Sequence, residues 1–142
     1  MVPLGIDKEK VIIQLGRLQD HISKLEELKK QMKAKEQEDI LISAGERYLQ
    51  LAIEDCLNIG NHIISGKGFK RADTYKEVFA ILKEEKIISE KLGEAMMRLA
   101  SFRNRLVHIY WEVTKDDIIE KLKDTDVFRK YAKEILDFVK QK

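Results

Sequence analysis

Twelve residues, Ser101 to Glu112, gather the side chains best suited to do chemistry together: Arg103, Asn104, Arg105, His108, Tyr110 and the only tryptophan, Trp111. A histidine takes or gives a proton near neutral pH. An arginine keeps its charge and forks onto phosphate oxygens. Cleavage of RNA by its own 2'-hydroxyl needs these two functions, a base for the hydroxyl proton and a fixed cation for the charge that develops on the phosphate. Arg103 and His108 are therefore the candidate catalytic pair. An Arg-His pair at one spacing is unspecific by itself, and the plain alternative is a polar interface patch on a helix.

Helical spacing limits how these residues can meet. At about 100° per residue, Asn104 and His108 share one face, whereas Arg103 and His108 stand about 140° apart. Two arrangements would join them: packing of this helix against its symmetry mate in a homodimer, or a helix break near His108. If the helix ran on regularly, Tyr110 would come within about 20° of Arg103. Arg47 and Arg105 are secondary candidates for RNA contact, with surface ion pairing as the competing role.

Other familiar sites fail on spacing. The glycines of 60–68 leave five residues, not four, before Gly66-Lys67, and no Ser or Thr follows to hold magnesium, so this is not a phosphate-binding loop. A di-iron bundle wants Glu three residues before His, but Leu18, Ile59 and Arg105 hold those places. His21 and His62 read as surface or second-layer polar residues. No metal and no cofactor is expected.

The elements that must position the cluster are helices. One proline and seven glycines leave little punctuation in 142 residues. Val11, Leu15, Leu18, Ile22, Leu25, Leu28 and Met32 recur at helical steps over about 25 residues. The charged stretch 33–39 predicts a turn or a solvated helix end. A second helix runs from about Ile40 to Ser65 and is ended by Gly66 and Gly68. The loop 65–73 carries Lys67, Lys70 and Arg71, for which solvation is the expected role. Thr74 with Glu77 forms a capping box for a third helix, with Tyr75, Val78, Phe79 and Leu82 facing inward. Ser89 caps a fourth helix with Leu92, Ala95, Met96, Leu99, Phe102, Leu106 and Val107 on its inner face. The pattern breaks around 110–113, Thr114 caps a short fifth helix, and Asp124 or Thr125 caps a last one. The fold class is all-α, an up-and-down bundle of four main helices plus short ones, in one domain over 1–142.

Composition narrows the function classes. With 27 basic and 25 acidic residues, the net charge of +2 excludes a polybasic coat, so nucleic-acid contact must be a local patch. A single cysteine, Cys56, permits no internal disulfide and fits a reducing cytoplasm. The longest uncharged run, 56–66, has 11 residues, short of the roughly 20 of a membrane helix, and residues 1–10 lack a signal-peptide core. No membrane association is expected.

The stretch Arg103 to Trp111 resembles the signature of the HEPN ribonucleases, specifically the HepT branch: Arg, four residues, His, one residue, Tyr. Arg103, His108 and Tyr110 match it, and Asn104 matches the polar residue that commonly follows the Arg. The run Glu46-Arg47-Tyr48-Leu49-Gln50-Leu51-Ala52-Ile53-Glu54, continuing to Asn61-His62-Ile63-Ile64, resembles the second helix of that branch. The resemblance implies a homodimeric toxin of a toxin-antitoxin pair that cuts RNA without metal in a dimer-interface cleft. It also implies an MntA-like nucleotidyltransferase antitoxin that adds AMP to the motif tyrosine, here Tyr110. In that frame Arg103 binds the scissile phosphate, His108 acts as base or acid, and Asn104 orients substrate or His108. The alternative is a non-catalytic helical module that binds a nucleotidyltransferase and helps present its substrate; a purely structural dimer is a third reading.

Overall fold

The apolar stripes of the sequence become helices that each bury one face. A computed structural model describes residues 5–32 and 38–140. Six α-helices follow in order: α1 (Lys8–Met32), α2 (Glu38–Lys67), α3 (Tyr75–Glu84), α4 (Glu90–His108), α5 (Lys115–Lys123) and α6 (Asp126–Val139). One 3-10 turn, Tyr110–Glu112, lies between α4 and α5. Positions 33–37 of the charged stretch lie outside the described residues, while Glu38 and Asp39 already belong to α2.

Helix α2 is the axis of the molecule and packs against all five others. Its Leu49, Ala52, Ile53, Cys56, Ile59 and Ile63 are fully buried, and each large aliphatic among them contributes about 1.5–3 kcal/mol of burial. Helix α1 runs antiparallel to α2 and buries Val11, Leu18, Ile22, Leu25 and Leu28. Helices α3 and α4 form a second antiparallel hairpin. Tyr131 of α6 reaches the core, where its hydroxyl donates to the Cys56 carbonyl at 2.8 Å and its ring meets Phe79 edge-on. Among the described residues no helix is long and apolar enough to cross a membrane.

Local signals set most helix ends. Thr74, Ser89 and Thr114 accept N-terminal backbone N–H groups of α3, α4 and α5, and Thr114 with Asp117 closes a full capping box. Glu77 closes its side differently, accepting the N–H of Asp73 at 2.8 Å instead of that of Thr74. At the end of α2 only Gly68 acts as terminator. It takes φ +69 and donates to Ser65 while Phe69 donates to Ile64, a Schellman pattern, and Gly66 stays inside the helix. Thr125 precedes α6, yet its hydroxyl is spent on Glu26 of α1 and does not cap.

Two inward assignments are corrected. Tyr75 is 41% exposed and Val107 stands at the surface. Tyr75 is the first residue of α3, where the helix has not yet met the core. Val107 lies on the last turn of α4, on the outer side of the helix, while its neighbour Leu106 is still buried.

Sequence spacing gave His62 no partner, but it anchors the entry into α1. Its Nε2 accepts the backbone N–H of Asp7 at 3.3 Å, and Asp7 Oδ1 in turn accepts the N–H of Lys10 at 3.1 Å as the helix cap. Burial, and next the charge of Lys10, lower the proton affinity of His62 from its ordinary value of 6.5. The unfolded chain thus binds the extra proton more readily, and stability rises with pH. The contribution is complete above the ordinary histidine value and is lost as pH falls through it toward the lowered folded one. Thermal melts of wild type should drop over that window, and His62→Gln should flatten the drop. An equal acid dependence in the two proteins would rule this anchor out as its source.

Candidate active site

Helix α4 ends at His108, the same residue that closes the catalytic candidate pair. Ile109 leaves helical geometry with φ −137 and ψ 45, its N–H still bonded to the Arg105 carbonyl, and Tyr110–Glu112 form the 3-10 turn. The break falls after His108, so Arg103 and His108 both lie in regular α4, about 140° apart, and within one chain it does not bring them together. The regular continuation that would stack Tyr110 over Arg103 does not occur. His108 is exposed and makes no side-chain hydrogen bond among the described residues. Its ring stands at the rim, while Arg103 sits one and a half turns back.

Arg103 is held on three sides. Its Nε donates to Glu54 Oε2 at 3.0 Å, its Nη2 lies 2.9 Å from that oxygen in an ion pair, and Gln50 Nε2 donates to the same oxygen at 3.0 Å. The Tyr75 ring lies 4.7 Å from the guanidinium carbon, a cation-π contact. Asn104 Oδ1 stands 3.5 Å from Nη1, at the long limit of a hydrogen bond. The Arg103 side chain is only 13% exposed, against 30% for Glu54. Asn104 is thus placed beside Arg103, and no hydrogen bond joins it to His108 among the described residues.

Beyond the helix end, Tyr110 and Trp111 are 64% and 69% exposed and pack edge to face at 5.6 Å. This exposed aromatic pair forms the rim just past His108. Arg105 turns to α5, 3.6 Å from Asp117, and ties the site to the cap of that helix. Arg47 is exposed on α2. It lies seven residues before Glu54, about 20° from it around the helix, so it stands on the Glu54 side.

Glu54, Gln50 and Tyr75 were missed as site residues. The i,i+4 spacing of Gln50 and Glu54 was visible, but that Glu54 faces a residue 49 positions later was not. Elsewhere, His21 pairs through Nδ1 with Asp55 of α2, not with its neighbour Asp20. Burial raises the Asp55 carboxyl above its ordinary range, and the bond to His21 opposes that shift. Burial drives the Cys56 thiol far up, which removes it as a nucleophile. Among the described residues no three His, Cys, Asp or Glu side chains converge as a metal cluster would need.

A family model described as "Ribonuclease HepT-like" matches residues 18–135. The tRNA nuclease HepT of Aphanizomenon flos-aquae is 30% identical over 115 residues, covering 78% of this chain and 77% of that protein. The Shewanella oneidensis HEPN toxin, solved tri-AMPylated in complex with an MNT antitoxin, superposes with a TM-score of 0.81 at 20% identity, over 89% of this chain and 96% of that one. Bacillus subtilis YutE, described as a cytosolic protein of unknown function, superposes at 0.80 with 22% identity, over 96% and 92%. At these identities the two structures show the shared fold.

Proposed function

Because this chain belongs to the HepT-like ribonuclease family, we propose that it is an endoribonuclease, the toxin of a toxin-antitoxin pair. The end of α4 carries this reading: Arg103, Asn104 and His108 occupy its last turns, and Tyr110 stands exposed just past them. The proposed reaction is a transesterification within the RNA. His108 removes the 2'-hydroxyl proton, the 2'-oxygen bonds to the adjacent phosphorus, and the bond to the 5'-oxygen breaks. That oxygen leaves with a proton, and the products carry a 2',3'-cyclic phosphate and a 5'-hydroxyl. Arg103 stabilises the charge on the phosphoryl oxygens, and Asn104 orients substrate beside it. Arg47 extends the phosphate-binding surface, whereas Arg105 takes the competing role of an ion pair with Asp117. Base and cation are both side chains, so the reaction needs no metal and no cofactor.

The second proton is best supplied by a second chain. The exposed Trp111, just past His108, offers an aromatic anchor for a second chain. Two-fold packing that covers Trp111 and leaves the Tyr110 hydroxyl open brings both His108 rings into one cleft, one as base and the other as acid. The partner proposed for the toxin is an MntA-like nucleotidyltransferase, by analogy with the Shewanella complex. It transfers AMP from ATP to the Tyr110 hydroxyl and releases pyrophosphate.

One observation favours the non-catalytic reading: a structural tie between α2 and α4 would also pair Arg103 with Glu54. The two separate in a ribonuclease assay with and without EDTA, run over a dilution series. The catalytic dimer cuts in EDTA, leaves cyclic-phosphate ends, and loses rate per chain on dilution. Absence of cleavage selects the binding module, and activity restored only by magnesium or manganese overturns the metal-free mechanism.

A further inference from the structure

The five N–H donors of Arg103 are not equally engaged. The Nε side of the guanidinium is fixed, because Nε and Nη2 both converge on Glu54 Oε2. That oxygen is itself immobilised by Gln50 one helical turn back on α2. The flat face is covered by Tyr75, which reaches across from the first residue of α3. What remains is the Nη1–Nη2 edge, whose one hydrogen-bond acceptor among the described residues is the distant Asn104 amide oxygen. A phosphodiester takes such an edge with two parallel hydrogen bonds.

We propose that Glu54 and Tyr75 are positioning residues that hold Arg103 with its Nη1–Nη2 edge presented to the scissile phosphate. The inference rests on Arg103 being the phosphate-binding cation. A long side chain on a surface helix samples many rotamers, and each ordering contact removes some of that freedom before substrate arrives. Carboxylate and ring act on different parts of the guanidinium, one on its edge and one on its face, so they restrain different torsions. Glu54 sits on the adjacent Nε–Nη2 edge, so the two N–H groups that point outward along the Nη1–Nη2 edge remain for the phosphate. The exposed Tyr75 ring bears on Arg103 through its face alone, and its hydroxyl makes no hydrogen bond among the described residues.

The experiment measures kcat and KM for cleavage of one RNA by the full chain and by Glu54→Ala, Glu54→Gln, Tyr75→Ala, Tyr75→Phe and Arg103→Ala, with thermal midpoints for each. A small displacement of a catalytic group costs about 100-fold in rate, so Glu54→Ala and Tyr75→Ala should lose kcat on that scale with KM little changed. Glu54→Gln keeps an oxygen acceptor and Tyr75→Phe keeps the ring face, and both should recover most of the rate. Wild-type kcat in Glu54→Ala or Tyr75→Ala, with Arg103→Ala inactive, overturns the positioning role. Wild-type kcat in Arg103→Ala overturns the phosphate-binding reading instead. Should Glu54→Ala fail to fold, the Tyr75 pair decides alone, since that side chain is at the surface: equal kcat in Tyr75→Ala and wild type sinks the proposal.

Discussion

His108→Ala should abolish RNA cleavage while the protein melts at its wild-type temperature. The imidazole is exposed on the last residue of α4 and bonds to nothing among the described residues, so its truncation falls in the range of about ±0.5 kcal/mol typical of surface changes. Loss of a general base or acid costs roughly 10² to 10⁴ in rate, and a two-fold site loses both in one substitution. Arg103→Ala should be equally inactive but should melt earlier. It removes charged hydrogen bonds, each worth about 1.5–3 kcal/mol, although water reaching the partly exposed Glu54 carboxylate offsets part of that loss. At roughly 2–4 °C per kcal/mol for a chain near this size, calorimetry resolves the difference. An active His108→Ala protein would remove the histidine from the mechanism, and a His108→Ala protein that melts as early as Arg103→Ala would make the residue structural.

Adenylylation of Tyr110 should switch cleavage off. The phenol projects from a 3-10 turn, and its hydroxyl is free of hydrogen bonds among the described residues, so attaching AMP displaces nothing from the core. Tyr110 is two residues from His108, and two peptide units span at most about 7.6 Å. The nucleotide is therefore tethered at the rim where RNA must enter. It blocks by bulk, and its phosphodiester offers an anion to the cation meant for the scissile phosphate. Both effects have one sign. The tether replaces the continuous-helix geometry expected from spacing, which the break after His108 rules out. The chain incubated with an MntA-like nucleotidyltransferase and ATP should gain AMP on the Tyr110 peptide by mass spectrometry and lose cleavage. Tyr110→Phe should remain active and unaffected by the same treatment. Modification confined to other residues, or present on Tyr110 with cleavage undiminished, contradicts the mechanism.

The sequence by itself determined the parts that depend on neighbours within one helical turn. The stripe from Val11 to Leu28 and the caps at Thr74, Ser89 and Thr114 are interactions between residues three or four apart, and each formed where spacing put it. The Arg103 to Tyr110 motif was legible as a string for the same reason. What joins residues far apart was decided by the rotation and depth at which helices pack. Glu54 meets Arg103 because α2 turns that face toward α4, and no local period encodes the match. His21 finds Asp55 across the α1–α2 hairpin by the same logic, although Asp20 is its neighbour in sequence. Tyr75 kept its helix and lost its expected burial, since position in an element does not say whether the core extends that far. The end of α4 stood between the two. The break in the apolar pattern signalled irregularity around 110–113, but only the folded chain placed the helix end at His108, before Tyr110, because a helix stops where packing and turn geometry together outweigh one more hydrogen bond.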